Sequence, residues 1–292
     1  MALLVFLCLV WGAQQVTVKI AIAQGIPPIQ LAAMRSAIAA ICVTAWIGLR
    51  DGPDALPATF RRDATLRPGL LIAAVFGMEF MALNLGLRLT TASRGVLFLY
   101  TAPFFVAIGA HWFLPGERLR LWPVLGMALA FCGVGLAFID GLSRPGGSVA
   151  GDALCTLAAA LWAATTIVIK ASPALTRAPA SRVLLYQLAG SVPLLLAGSV
   201  ARGEPWVLPH ASSLAWTALL YQSVVVSFAS YLVWFWLVQH YPANRISAFT
   251  FLTPVFSIVA GVVTLHEPVG WPLVGGVAAV AAGLTLLNRK AA

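Results

Sequence analysis

The chain has 292 residues, of which 61% are apolar and only 9% charged, with a formal net charge of +9. An ordinary soluble domain carries ~25% charged residues, and a folded chain of this length has too little interior to hide so much apolar side chain from water. A water-soluble globular fold is excluded, and an all-α fold embedded in lipid is expected. The basic excess is scattered, with no run longer than Arg61-Arg62 or Arg289-Lys290. That pattern fits the positive-inside bias of membrane proteins and gives no reason to expect a nucleic-acid partner.

A crossing of ~30 Å of hydrocarbon takes ~20 mostly apolar residues. Ten such stretches follow one another, over 2–22, 28–49, 69–88, 93–113, 121–139, 151–170, 181–200, 212–237, 243–265 and 270–287. The breaks between them carry turn chemistry, as in Gly25-Ile26-Pro27-Pro28, Pro115-Gly116 and Gly203-Glu204-Pro205. Only the 50–67 and 140–150 connections are long enough to be more than turns.

The first stretch lacks a basic leader and runs on into Gln14, Gln15 and Lys19 without a small-x-small cleavage pattern, so a retained helix is expected rather than a signal peptide. Trp11, Gln15 and Lys19 lie on one i, i+4 row, as do Trp162, Thr166 and Lys170 in the sixth stretch. Polar groups in hydrocarbon must face protein or a wet cavity. Both rows therefore read as interior, the tryptophans and Gln15 as walls of a binding cavity or as packing, and the lysines as snorkelling to the interface.

Arg35 lies about two turns into the second stretch. Its planar fork suits a substrate carboxylate, although pairing with Glu79 or capping a helix is favoured. Glu79, near the middle of the third stretch, is a carboxylate at a depth where charge is costly, which makes it a functional candidate by default. It could hold a substrate ammonium, carry a coupling proton, or form a structural ion pair with Arg35 or Lys19. Pro103 and Pro254 fall mid-way along the fourth and ninth stretches, where a proline kinks a helix and frees a carbonyl. A shared gating role is expected of them, with Tyr100, Thr101, Phe251 and Thr253 as neighbouring cavity candidates. Gly275, Ala279 and Gly283 form a small-residue row expected to pack within the chain. The four cysteines contain no CxxC pair and read as small buried apolar residues.

The halves repeat. Trp11 and Trp162, Lys19 and Lys170, Arg94 and Arg245, and Pro103 and Pro254 are each 151 residues apart. Glu117 with Glu267 and Trp122-Pro123 with Trp271-Pro272 follow at slightly shorter offsets. Residues 1–140 and 150–292 therefore read as two copies of a five-helix unit. An odd helix count makes the second copy enter the membrane from the opposite face, the plan of an inverted-repeat transporter. With the N-terminus placed in the cytoplasm, twelve of the eighteen Lys and Arg fall on inside loops and the tail. Both termini are thus expected inside.

Together these residues resemble a known family. Trp11-Gly12, Lys19, Gly25-Ile26-Pro27-Pro28 and Arg35 resemble the opening of EamA-type members of the drug/metabolite transporter superfamily. Ala92-Ser93-Arg94, Pro103-Phe104-Phe105 and Glu117-Arg118-Leu119 are similar to its fourth helix and following hairpin. Ala243-Asn244-Arg245, Pro254-Val255-Phe256 and Glu267 repeat that pattern. Gln14 departs from it where Asn is common, and Tyr186 stands at the repeat position of Arg35. The resemblance, which reaches to amino-acid exporters of the YddG type, implies ten helices in two inverted five-helix repeats. It also implies a central cavity and export of small metabolites such as amino acids across a bacterial inner membrane.

The expected partners are a small-molecule substrate and the lipid bilayer, with no cofactor and no metal. A membrane-embedded enzyme is the main rival. It is disfavoured because HExxH, GxxxxGK[ST] and GxSxG are all missing from the sequence, and the four histidines sit at or beyond the ends of apolar stretches. A channel is the second rival, but no filter-like loop or charged ring stands out.

Overall fold

The computed structural model describes residues 2–52, 54–59, 61–142, 147–205, 211–257 and 271–287. Among them every regular element is a helix. The order is α1 (Ala2–Ala23), α2 (Pro28–Asp51), α3 (Ala55–Thr59), α4 (Leu66–Leu89), α5 (Ala92–Leu99), α6 (Ala102–Phe113), α7 (Leu121–Ala137), α8 (Ile139–Leu142) and α9 (Val149–Ala171). There follow α10 (Pro173–Arg177), α11 (Ala180–Ala201), α12 (Ser213–Leu220), a π-helical segment (Tyr221–Ser230), α13 (Tyr231–His240), α14 (Ala243–Phe249), α15 over 252–257, and α16 (Trp271–Leu287).

Seven of the resulting spans are long and apolar enough to cross a membrane, counting Arg94–Phe113 and Ser213–His240 as continuous crossings; α7 and most of α16 are shorter apolar helices. Large apolar side chains stand on the outside, with Leu49 and Trp271 each 87% exposed. In water that would be unstable, whereas in lipid it costs nothing.

Two compact units account for the chain, and each draws on both sequence halves. The first comprises Met1–Ala13, Ala82–Ile167 and Tyr241–Ala292; the second comprises Gln14–Met81 and Val168–His240. Helices α1, α4 and α9 each contribute to both.

Lipid tails are as apolar as leucine, so helices in a membrane are held by close packing and internal hydrogen bonds rather than by exclusion of water. In the first unit α7 and α16 meet backbone to backbone. A methyl at Gly276 would lie 2.6 Å from the Gly133 carbonyl oxygen, and one at Gly283 2.5 Å from that of Gly126. The row expected on α16 is therefore shifted by one residue at its start: Ala279 and Gly283 do pack on α7, but Gly276 makes the close approach while Gly275 faces only the Leu136 side chain. The first half of α1 lies against α14 and α15, where a methyl at Gly12 would meet Phe256 Cβ at 2.8 Å and the Cys8 thiol donates to the Phe249 carbonyl at 3.3 Å.

In the second unit α11 packs along α2 and α4. Gly69 accommodates the Tyr186 ring, Gly77 accommodates Leu194, and Gly190 accommodates Ala73. The start of α2 is capped from a distance. Glu204 accepts hydrogen bonds from the backbone N–H groups of Ile29 (3.2 Å) and Gln30 (2.9 Å), and from the Ser199 hydroxyl (2.9 Å). Two of the orphan donors of that helix end are thus satisfied by a group whose charge also suits the helix dipole.

Candidate functional site

The fourth and ninth apolar stretches were expected to be kinked at their prolines, and in each the regular α-helical pattern is interrupted by a short turn that keeps near-helical dihedrals. The chain leaves α5 at Tyr100-Thr101 before starting α6, and leaves α14 at Thr250-Phe251 before starting α15. Pro103 is the second residue of α6 and Pro254 the third of α15, both buried. In a first turn a proline lacks an N–H that would have had no partner anyway. Each interruption closes on itself in the same manner. The Thr101 hydroxyl and N–H both return to the Phe98 carbonyl (2.6 and 3.1 Å), and the hydroxyl and N–H of Thr250 return to that of Ser247 (2.6 and 3.0 Å).

Five of the expected site residues lie in the first unit, two of them, Tyr100 and Phe251, at these interruptions. Phe251 is fully buried with its ring edge-on to Phe104, centroids 6.2 Å apart. Tyr100 is buried in the same cluster. The Thr253 hydroxyl is buried there without a hydrogen-bond partner among the described residues. Trp11 is buried on α1, Thr166 is buried on α9 and bonds back to the Trp162 carbonyl at 3.5 Å, and Trp162 is half-buried. At the edge of the unit Asp152 accepts from Arg94 through two nitrogens and from the Thr90 hydroxyl at 2.7 Å. Glu117 receives the Ala243 and Asn244 N–H groups at 3.0 and 3.1 Å.

The second unit holds a different kind of group. Arg35 is 2% exposed. Its Nη1 donates to Gln222 Oε1 and its Nη2 to the Tyr231 hydroxyl, each at 3.3 Å, and its guanidinium stacks over the Phe80 ring at 4.2 Å. Gln222 is itself held, donating to the Thr17 hydroxyl (2.6 Å) and the Gln14 carbonyl (3.0 Å). Glu79 is buried one turn from Phe76, whose ring sits edge-on to those of Phe80 and Tyr231.

The favoured pairing of Arg35 with Glu79 is not formed. Among the described residues Glu79 makes no ion pair, and its Oε2 has no hydrogen-bond partner. Arg35 Nε, Gln187 Oε1 and Ser227 Oγ are also buried without partners in this unit. The side chains of Gln15 and Lys19 lie outside the described ones, and α1 carries both residues in its second half.

Gln222 and Tyr231 had not been singled out as partners of Arg35. Gln222 carried a signal all the same, because a carboxamide in an apolar stretch is out of place for the reason Glu79 is. What could not be read is the π-helical winding of Tyr221–Ser230, which sets the side of the helix on which Gln222 emerges.

Spans of this length, apolar outer faces and polar side chains held inside define a multi-pass helical membrane protein. The model of the EamA-like transporter family matches residues 1–139 and 149–289, and the chain belongs to that family. It is 30% identical over 99% of its length to the uncharacterized transporter YvbV of Bacillus subtilis, covering 91% of that protein. It is 28% identical over 88% of its length to the "Probable amino-acid metabolite efflux pump" of Escherichia coli, covering 84% of it. A solved crystal structure with 20% identity superposes with a TM-score of 0.80 over 98% of this chain and 96% of the other. The resemblance read from the motifs is thus the family found.

Proposed function

We propose that the protein is a secondary transporter that exports small metabolites, amino acids or related compounds, across the cytoplasmic membrane of a bacterial cell by alternating access. The observation that carries this reading is the pair of matched interruptions, at 100–101 and 250–251, in helices one repeat apart. A helix interrupted at depth in a membrane is tolerated where it is buried in protein or lines a water-filled cavity, and paired interruptions in two repeats are how carriers build a site near the membrane midplane.

The two family matches support reading residues 1–140 and 150–292 as two copies, inverted because each holds an odd number of crossings. The name of the Escherichia coli relative supports the substrate class. The charge bias supports placing both termini in the cytoplasm. Our candidates for solute contact are Trp11, Tyr100, Trp162, Thr166 and Phe251 in the first unit, and Gln15 and Glu79 in the second. Pro103 and Pro254 are the gating candidates.

The test is a flux screen on sealed vesicles containing the purified protein, loaded with single labelled amino acids and their metabolites. Saturable efflux of at least one solute, weakened in Trp11→Ala and in Trp162→Ala, is expected. Conversion of a solute to a product would favour a membrane enzyme, and non-saturating flux a channel.

A further inference from the structure

We infer that Glu79 is a proton-binding site which is neutral in the conformation seen here, that Arg35 is the counter-charge it acquires when the proton leaves, and that this exchange couples transport to protons. The coupling rests on the transporter reading above; the proton site does not.

The argument starts from what each group touches. A carboxylate ionised inside a membrane without partners is very costly, and buried charges in proteins are paired or neutralised. Glu79 is 7% exposed, its Oε2 has no hydrogen-bond partner, and no ion pair reaches it among the described residues. Arg35 is the charged group that acts on it. Yet Arg35 spends its two terminal nitrogens on neutral acceptors, Gln222 and Tyr231, and its flat face on Phe80. An arginine with an ionised carboxylate beside it in a low-dielectric interior would take the bidentate pair. That it bonds an amide and a phenol instead is the arrangement expected when the acid is protonated. Arg35 Nε is buried and unpartnered as well. The guanidinium therefore keeps a free donor for the carboxylate.

Among the described residues the other elements packed on α4 supply no competing charge at Glu79. On α11 the titratable groups are Arg182 and Tyr186, and both are tied to the end of α3 and the loop before α4: Arg182 to Asp63 and the Thr59 carbonyl, Tyr186 to Thr59 and Thr65. On α13 the group facing Glu79 is the Tyr231 phenol already bonded to Arg35. On α1 the side chain of Lys19 lies outside the described ones.

The step is a simple one. The Glu79 O–H bond breaks and the proton passes to water. The carboxylate keeps the electron pair, and the Arg35 N–H groups leave Gln222 and Tyr231 for it. Gln222 is anchored to Gln14 and Thr17 on α1 and lies in the π-helical segment. Releasing or recapturing Arg35 therefore changes the bonds that α2 makes to two other elements. A protonation event thereby becomes a packing event.

The first test is infrared spectroscopy of the purified full chain in lipid, following the C=O stretch of protonated carboxylic acid as pH is raised. A band present at neutral pH in the wild type and absent in Glu79→Gln is expected. Superposable neutral-pH spectra would overturn the proton site. Tyr231→Phe frees Arg35 and should move loss of the band to lower pH. Arg35→Gln removes the cation and should move it higher, by roughly one unit or more in each case. If one variant does not fold, the other carries the test, and an unmoved band in a folded variant would overturn the role of Arg35.

The second test uses vesicles and a solute that passes the flux screen. An imposed pH gradient should drive its accumulation by the wild type and not by Glu79→Gln; gradient-driven accumulation by the variant would overturn the coupling. A screen that finds no solute would defeat the transporter reading and with it the coupling, while leaving the infrared result for the proton site standing.

Discussion

Individual charges in this protein fall into two kinds. Glu117 and Glu204, near the ends of spans, are satisfied by backbone N–H groups, whereas Glu79 deep in α4 has no ion pair among the described residues and an Oε2 without a hydrogen-bond partner. The difference predicts different responses to substitution. Asp63, in the loop before α4, accepts from the Thr65 N–H and hydroxyl and pairs with Arg182 at 2.8 Å. These contacts, the Thr65 bonds foremost, hold its carboxyl below the usual carboxylate range. A group whose folded-state value is depressed contributes stability above its unfolded value and loses it as pH falls through the folded one. Asp63→Asn should therefore melt below the wild type at neutral pH, and the difference should close on acidification. Melting curves across the acid range check this, and a gap that stays constant would contradict it.

Glu79 and Arg35 were visible in the sequence because a charge in an apolar stretch needs no context to stand out. Their mutual avoidance was not, since it depends on which neutral partners the fold brings to Arg35.

At the scale of elements, the sequence conveyed where helices run better than where they stop. Pro103 and Pro254 marked two places of interruption, but a proline does not reveal whether the helix bends through it or restarts before it. The restart is set by Thr101 and Thr250, whose hydroxyls close the preceding turn on its own carbonyl. Replacing either proline by alanine restores a backbone N–H and removes the ring that crowds the preceding turn. Pro103→Ala and Pro254→Ala should each slow flux more than they weaken binding of the solute. Wild-type rates in both would remove the gating role.

The contact between α7 and α16 makes a second prediction at this scale. Gly276→Val places a branched carbon bearing two methyl groups against the Gly133 backbone and should cost about 1–3 kcal/mol by overpacking. Gly275→Ala meets only a leucine side chain at 3.2 Å, and should be nearly silent in the same melting assay. The one-residue shift was unreadable in advance because small residues at 275, 276, 279 and 283 support two overlapping rows.

For the whole molecule, sequence order and compactness divide the chain differently. The family model matches two consecutive halves, while the compact units interleave them, with α1, α4 and α9 shared. An offset of 151 residues between matching tryptophans, lysines, arginines and prolines is the basis on which we propose that the two halves are copies of one unit. It carries no information on which helices of the two halves then pack together. The candidate residues are divided as well: Trp11, Tyr100, Trp162 and Phe251 lie in the first unit, and Arg35 and Glu79 in the second.

Alternating access is the central claim made of this architecture, and trans-stimulation measures it most directly. A carrier must return its site across the membrane, and it does so faster loaded than empty when the empty return limits the rate. Vesicles containing the purified protein would be loaded with a labelled solute from the flux screen and diluted into buffer with or without the unlabelled solute outside. The account expects faster efflux of label with unlabelled solute outside, and loss of that acceleration in Pro103→Ala and Pro254→Ala. Efflux that rises in proportion to the internal concentration and is indifferent to solute on the far side would contradict it.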